Sequence, residues 1–396
     1  MKRRFFNSKS AYIGILLFGI VSLMGDVVYE GARGILPSYL KFLGASAVIV
    51  GLVGGLGDFL GYALRLISGF LVDTTHAYWF FIFLGYGLIV SIPLLGFSTS
   101  LEVAIILVLL ERLGKAFRSP ARDTVLSVIS KGVGAGKAFG IHELLDQTGA
   151  IAGPLIVSAL MFSSNNDYRY VFTFLLAPFL GLLTALICTY KGTRAKVMIE
   201  KRKTEEKKKN LSKQFYMYIF AVLLNTSGLI PFTLILYKAS MILTAQEEWI
   251  IPLIYLLIQG VDASIALLAG YTYDKFGIKI LLAPFLLSLL PPLLTISSTE
   301  LLTLIIASIF FGLVLGMQES IYRAAVSDLT QISIRGTAYG IFNATYGIGF
   351  LISGGIYGLL MDLNAPFIVT LLLIVVVQAT AVTILLQASK ASRKQA

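Results

Sequence analysis

Charged side chains and cysteine are scarce in this chain of 396 residues. Asp, Glu, Lys and Arg make up 13% of the residues, whereas hydrophobic residues make up 57%. Soluble domains contain roughly 25% charged and about 45–50% apolar residues, so this composition cannot cover a water-exposed surface. The single cysteine, Cys188, excludes an intramolecular disulfide and a multi-cysteine metal site. The composition instead predicts a protein whose main solvent is lipid.

A nucleotide-binding loop is also missing. GVGAGKA at 132–138 looks like a phosphate loop, but Lys131 stands where the first glycine is required and Ala138 replaces the Ser or Thr after the lysine. We therefore expect no nucleotide, and we expect no cofactor and no metal ion. The formal charge of +11 comes from Lys and Arg that lie between the apolar stretches, so nucleic acid is not an expected partner.

Twelve apolar stretches are long enough to cross a bilayer, for which about 20 residues are needed. This pattern predicts an all-α membrane protein. The stretch MKRRFFNSKS at the N-terminus lacks a small-residue cleavage site, so we expect the first helix to be retained. The predicted spans are 11–40, 46–72, 78–98, 101–118, 138–162, 168–190, 214–238, 248–272, 278–297, 300–324, 336–361 and 366–388.

Lys and Arg are distributed unevenly between the two sets of connecting loops. Cytoplasmic loops carry an excess of Lys and Arg, and an even number of spans places both termini on one side. The side that holds the termini is the basic one, with Lys2, Arg3, Arg4, Arg118, Arg122, Lys131, Lys137, Lys275, Lys279, Arg335, Lys390, Arg393 and Lys394. Both termini are therefore predicted to be cytoplasmic, with the chain in the cell membrane.

A polar, basic stretch at 191–214 divides the chain almost in half. A charge run of this kind is usually a solvated linker, and contact with anionic lipid headgroups is the alternative. We predict an N-terminal six-helix bundle at 1–190, a basic cytoplasmic linker at 191–213 and a C-terminal six-helix bundle at 214–396.

The two halves share three short patterns in the same order. GKAFGI at 136–141 recurs as GTAYGI at 336–341, 200 residues later. Gly69-x3-Asp73 recurs as Gly270-x3-Asp274, and Arg118-x4-Asp123 recurs as Arg323-x4-Asp328. The repeats predict one six-helix unit used twice, as in transporters whose site lies where the repeats meet.

With these repeats the sequence resembles the major facilitator superfamily over its whole length. The family's loop signature, G-x-x-x-D-[RK]-x-G-[RK]-[RK], is matched by Gly270, Asp274, Lys275, Gly277 and Lys279. In the first half only Gly69 and Asp73 remain, followed by Thr74, Thr75 and His76. The resemblance implies two pseudo-symmetric six-helix bundles, alternating access, a monomer, and a gating role for these residues and for Arg118 and Asp123.

The fifth span resembles the family's signature G-x8-G-x3-G-P-x2-G-G. Gly140, Gly149, Gly153 and Pro154 are in register, and Val157 and Ser158 replace the last two glycines. In the family this signature is associated with antiporters, so the resemblance implies exchange, similar to drug or metabolite efflux against protons.

Ionisable residues inside apolar spans are costly and persist where they face a cavity or pair with one another. The helical spacing puts Asp26, Glu30 and Arg33 on one face of the first span. The other candidates for proton or substrate binding are Glu111, Arg112, Lys115, Glu143, Asp146, Glu319 and Arg323. Internal salt bridges are the competing interpretation. His142 is a further protonatable group, for which a simple polar contact is the simpler interpretation.

These observations predict a secondary transporter rather than an enzyme. We expect it to move a small organic solute by proton-coupled efflux. The alternative is proton symport or facilitated uptake of a small, possibly anionic, metabolite. A membrane-embedded lipid transferase would need an acidic metal-binding cluster or a catalytic histidine motif, and the sequence has neither.

Overall fold

The computed structural model describes residues 8–130, 133–193, 211–331 and 334–393. Every regular element in these ranges is helical, which confirms the all-α class. Most of the predicted basic linker, together with Lys2, Arg3, Arg4, Lys131 and Lys394, lies outside the described residues.

Eleven helical segments in the described ranges are long and apolar enough to cross a membrane. The predicted fourth span is the exception, although its helix, Leu101–Ile129, has 29 residues. Glu111, Arg112, Lys115 and Arg118 interrupt its apolar run. The prediction of twelve spans with cytoplasmic termini therefore stays a prediction.

Two predicted span limits are wrong. The stretch 11–40 forms two helices, because Pro37 lacks the N–H that a continuous helix needs and restricts the residue before it. The helix that begins at Leu101 continues past residue 118 to Ile129, although Pro120 lies inside it. The charged residues of this helix are therefore interior positions of one long element.

The chain divides into two compact units. Unit 1 comprises Met1–Ile35 and Leu64–Thr204, and unit 2 comprises Leu36–Ala63 and Glu205–Ala396. The helices of unit 1 are α1 Ser8–Arg33, the second part of α3 Ala47–Thr75, α4 Tyr78–Gly87, α5 Ser91–Leu94, α6 Leu101–Ile129, α7 Ala135–Ser163, α8 Tyr168–Phe174 and α9 Leu176–Thr193. Single 3₁₀ turns at Leu88–Val90 and Leu95–Phe97 flank α5.

Helices α1 and α7 form the most intimate pair of unit 1, because glycines remove side chains from the contact. A Cβ atom at Gly149 would overlap the carbonyl oxygen of Leu23, and one at Gly153 would lie 2.8 Å from the nitrogen of Gly31. Small residues permit such close helix packing in membranes. Gly149 and Gly153 of the fifth-span signature therefore hold α7 against the charged face of α1.

Unit 2 contains the remaining helices and the first part of α3. They are α2 Leu36–Phe42, α10 Lys213–Ser227, α11 Phe232–Ile242, α12 Ile251–Phe276, α13 Leu282–Leu287, α14 Leu290–Ser297, α15 Leu301–Met317, α16 Arg323–Leu329, α17 Arg335–Asp362 and α18 Phe367–Arg393. Turns of 3₁₀ helix cover Ala245–Ile250 and Gly277–Leu281. A π-helical turn, Gln318–Tyr322, joins α15 to α16.

The first part of α3 packs directly on α17. A Cβ atom at Gly51 would overlap the backbone of Gly354, so neither position has room for a side chain. At the start of α3, the Asp362 carboxylate accepts hydrogen bonds of 2.8 Å and 3.1 Å from the backbone N–H groups of Ala47 and Val48. These groups have no partner within the helix.

The limits predicted for the two six-helix bundles stay a prediction.

Candidate functional site

The charged face of α6 points into unit 1. Glu111, Lys115 and Arg118 recur at helical spacing, and Glu111 and Arg118 are almost fully buried. Arg118 Nη2 lies 3.4 Å from Glu111 Oε1, and its Nη1 donates to the carbonyl oxygen of Gly85 at 3.3 Å. A Cβ at Gly85 would be 2.5 Å from Arg118 Cβ. Gly85 therefore gives the guanidinium group access to the α4 backbone.

Two aromatic rings complete the environment of Arg118. Its guanidinium carbon lies 5.1 Å from the ring centre of Tyr29 and 5.3 Å from that of Tyr86. The Nζ atom of Lys115 lies 4.7 Å from the Tyr29 ring centre. Cation–π contacts of desolvated groups stabilise by about 2 kcal/mol or more. Tyr29, which the sequence analysis did not single out, therefore lies at the centre of the cluster.

Glu30 joins α1 to α6. Its Oε1 accepts a hydrogen bond of 3.0 Å from Arg33 Nη1, and the same oxygen lies 3.7 Å from Lys115 Nζ. The side chain of Glu30 is 6% exposed, whereas that of Lys115 is 23% exposed. One buried carboxylate thus balances a cation of its own helix and a more accessible cation of α6.

Asp26 lies one helical turn before Glu30 and is also buried. Its side-chain neighbours are the Tyr29 hydroxyl and the charged groups of Asp146, Glu30 and Lys115. Asp26 therefore has carboxyl neighbours on both α1 and α7.

Three further ionisable side chains lie near the Asp146 carboxyl group: those of Arg122, Asp123 and His142. Arg122 Nε donates to Asp123 Oδ1 at 2.9 Å, and its Nη1 donates to Ser22 Oγ at 3.3 Å. His142 is buried beside Arg122 and Asp146, and its Nε2 has no hydrogen-bond partner among the described residues. Arg122 therefore interacts both with the half-exposed Asp123 and with Asp146, which in turn lies near Asp26.

Arg112 follows Glu111 on α6 and is buried beside it. Its Nε lies 3.6 Å from Glu111 Oε2, and its side chain is 8% exposed. Its Nη1 is buried and finds no hydrogen-bond partner in the part of the chain that the structure describes. Glu111 is therefore shared by two buried guanidinium groups, those of Arg112 and Arg118.

Three other candidates lie outside this cluster. Glu143 is exposed on α7 and accepts a hydrogen bond of 3.0 Å from Gln147 Nε2. Glu319 and Arg323 are exposed in unit 2, and no ion pair joins them within the described ranges. Glu319 belongs to the π-helical turn and Arg323 follows it directly, so the α-helical spacing of four residues no longer aligns the two side chains.

The predicted gating residues fall into two groups. Gly149, Gly153 and Pro154 are buried in the α1–α7 contact, whereas a Cβ at Gly140 would meet nothing within 4 Å. A Cβ at Gly69 would meet Pro120 Cβ at 3.8 Å, an ordinary contact, whereas one at Gly270 would lie 3.3 Å from Ser320 Oγ, which is a tight contact. The charged members of the loop signature are exposed: Asp73, Asp274, Lys275 and Lys279.

The two loop signatures share a backbone feature that the sequence comparison missed. Three residues after Asp274, Gly277 has a φ of 60°, and three residues after Asp73, His76 has a φ of 55°. Each helix is therefore followed by a residue with a positive φ. Glycine adopts this backbone conformation easily, and histidine does not. The His76 Nδ1 atom lies 3.2 Å from the Tyr78 hydroxyl.

A neutral polar network in unit 2 was also missed. The Asn225 amide nitrogen donates to Ser288 at 3.1 Å and to Gln378 at 2.8 Å, and its oxygen accepts from Gln318 at 3.0 Å and from Tyr322 at 2.6 Å. The Tyr346 hydroxyl then donates to Gln318 Oε1 at 2.8 Å. The amide residues Asn225, Gln318 and Gln378 within apolar helices are the sequence feature that indicates such a network, and they carry no charge that would mark them as ionisable candidates.

The sequence has clear relatives. The sequence profile described as Major Facilitator Superfamily matches residues 15–290 and 249–396. An uncharacterized protein of Mycobacterium tuberculosis is 34% identical over 384 residues, which cover 92% of this chain and 90% of the relative. An uncharacterized MFS-type transporter of Methanocaldococcus jannaschii is 28% identical over 365 residues, covering 90% of this chain and 91% of the relative.

Solved structures share the fold. The crystal structure of the nucleoside transporter NupG superposes with a TM-score of 0.71 at 14% identity, covering 95% of this chain and 98% of that one. A bacterial homolog of the human lysosomal transporter Spinster gives a TM-score of 0.67 at 14% identity, with coverage of 96% and 95%.

Proposed function

The chain belongs to the major facilitator superfamily, and from this membership we propose that it is a proton-coupled secondary transporter of a small organic solute that works by alternating access. The observation that supports proton coupling is the pair of buried carboxyl groups on α1. Asp26 and Glu30 are each 4% exposed. A carboxyl group in this setting can hold a proton in one state and pair with a cation in the other.

Glu30 is the better proton carrier of the two. When it is ionised, Arg33 and Lys115 stabilise it, and when it is protonated both cations lose a partner. Protonation of Glu30 therefore changes the contact between α1 and α6. This coupling of a proton to a helix contact is what a proton-driven conformational cycle requires.

The experiment uses proteoliposomes and a solute identified by thermal-shift screening. Flux driven by an imposed pH gradient is compared with counterflow without a gradient. Glu30→Gln and Asp26→Asn are expected to keep counterflow and to lose the response to the gradient. Glu143→Gln is the matched control, because Glu143 is exposed and bonded only to Gln147 in the contacts described above. A full response in both α1 variants would refute the proposal.

Two coupling modes are distinguished by the sign of the gradient effect. Efflux by proton antiport is supported by the glycine signature, whose Gly149 packs beside Asp26. Proton symport or uptake of an anionic metabolite is supported by the Lys115–Glu30 pair, because a proton on Glu30 leaves a cation for the solute. A gradient that is acid outside drives uptake in the second case and export in the first.

We further propose that the protein is a monomer in the cell membrane with both termini in the cytoplasm. The Lys and Arg distribution supports this orientation. Because Cys188 is the only cysteine, a Cys188→Ser background with one new cysteine at either terminus can be labelled from each side. Labelling of intact cells by a membrane-impermeant maleimide at either terminus would contradict the orientation.

A further inference from the structure

At Arg112, a buried guanidinium nitrogen without a hydrogen-bond partner among the described residues coincides with a shared counter-ion. Glu111 lies 3.6 Å from Arg112 Nε and 3.4 Å from Arg118 Nη2. Arg118 also has the Gly85 carbonyl and the rings of Tyr29 and Tyr86. Arg112 Nη1 has no hydrogen-bond partner within the described ranges.

An unpaired buried guanidinium nitrogen is expensive, and the full charge of an arginine cannot be removed by deprotonation. Such a group persists when something outside the resting structure satisfies it. The planar guanidinium matches a carboxylate or phosphate, which can accept two parallel hydrogen bonds. The geometry therefore indicates an oxyanion rather than a neutral or cationic group.

Lys115 provides a second cation near the same place. It lies three residues after Arg112 on α6, a spacing that makes side chains neighbours on a helix. Its side chain is 23% exposed, compared with 8% for Arg112. Lys115 is thus the more accessible of the two cations, and Arg112 is the more buried one.

We propose that Arg112, assisted by Lys115, binds an oxyanion group of the transported solute, either a carboxylate or a phosphate. This inference rests on the proposed transport function and names its substrate class. Arg112 is the binding residue, and Glu111 is a positioning residue that holds the Arg112 Nε side and leaves Nη1 to the ligand.

Proton binding and anion binding then reinforce one another. The charged groups around Lys115 are Glu30 and Arg33 of α1, Arg65 of α3, and Glu111 of α6. Asp26 of α1 lies next to Glu30, and Asp146 of α7 lies next to Asp26. A proton on Glu30 removes the anion that competes for Lys115, so the solute and the proton bind together. By linkage, this arrangement favours symport.

The test is a thermal-shift titration of the full-length protein in lipid nanodiscs with acids and their neutral analogues. The pairs are succinate and succinamide, benzoate and benzamide, and glycerol 3-phosphate and glycerol. At least one acid is expected to raise the melting temperature more than its neutral analogue. Preference between the carboxylates and the phosphate identifies the source of the oxyanion.

Three variants locate the effect. Arg112→Gln is expected to raise the half-saturating concentration of that acid by about 10-fold or more, the loss of one charged hydrogen bond. Arg112→Lys, which keeps the charge, recovers part of the affinity and controls for folding. Arg169→Gln is the matched control, because Arg169 is an exposed arginine of α8 in the same unit, and it keeps the wild-type affinity.

Three results would each overturn the inference. No acid stabilises the protein, acids and neutral analogues stabilise it equally, or Arg112→Gln binds the acid with unchanged affinity. Proton coupling is read separately from the flux of the binding acid in Glu30→Gln. If the acid binds through Arg112 but its flux ignores the pH gradient, the proposed coupling fails and the binding site stands. If flux follows the gradient while Arg112→Gln binds normally, only the site fails.

Discussion

Replacing Gly149 with alanine should push α1 away from α7. The new Cβ would overlap the Leu23 carbonyl oxygen and would lie 2.9 Å from the Cβ of Asp26. Non-bonded carbon atoms prefer about 3.5–4.0 Å, so the helices must separate by roughly 0.6–1 Å at this point. Overpacking of this kind costs about 1–3 kcal/mol. Because the displaced residue is Asp26, transport should suffer together with stability.

Gly140→Ala is the matched control on the same helix. A Cβ at Gly140 meets nothing within 4 Å, and alanine is favoured over glycine in a helix by about 0.5–1 kcal/mol. The two glycines belong to the same sequence signature, but the structure assigns them opposite effects. Because the propensity gain is common to both positions, the two variants should differ by the overpacking cost, roughly 1–3 kcal/mol in the free energy of unfolding.

SDS titration of the purified protein in mixed micelles measures this difference, and counterflow in proteoliposomes measures transport. Equal stability of the two variants would show that the α1–α7 contact relaxes without cost. A destabilised Gly140→Ala would show that Gly140 serves a purpose other than packing against the described residues. Either result would refute the steric reasoning.

Three further outcomes follow from single contacts, each read by the same titration. Asp362→Asn should destabilise the protein by about 0.5–1 kcal/mol, because the charge that caps the Ala47 and Val48 N–H groups is lost; equal stability would argue against this cap. His76→Gly should stabilise it by up to about 1 kcal/mol, since its φ of 55° suits glycine; a loss would show that the His76 ring contributes more than the backbone strain costs. Asn225→Ala should destabilise it by about 1–3 kcal/mol, because it leaves buried partners unsatisfied; a neutral result would mean that water replaces the amide.

The membrane-spanning pattern could be predicted from the sequence because hydrocarbon permits little besides apolar helices. The helix faces were also predictable, since spacing alone aligns Asp26 with Glu30. Which helices meet was not predictable. The contact between Glu30 and Lys115 depends on the glycines that set the distances between α1, α4, α6 and α7, and spacing within one helix carries no information about a neighbour.

The second half shows a different limit. Helices α6 and α15 begin at Leu101 and Leu301, 200 residues apart. On that count Gln318, which is buried and bonded to Asn225, takes the place of Arg118. The Arg323 that the sequence pattern matched to Arg118 is exposed and follows the π-helical turn. A five-residue offset in a short motif was invisible without the helix limits.

The uncharged network around Asn225 has an electrical consequence. A membrane potential does work of about 2.3 kcal/mol per 100 mV on each elementary charge that crosses it. The network carries no net charge, because its members are Asn225, Ser288, Gln318, Tyr322 and Gln378. Movement of these side chains through the membrane field therefore transfers no net charge and needs no electrical work of this kind. The voltage dependence of the transport cycle should therefore owe nothing to this network, and replacing Gln318 or Asn225 by another neutral residue should leave it unchanged.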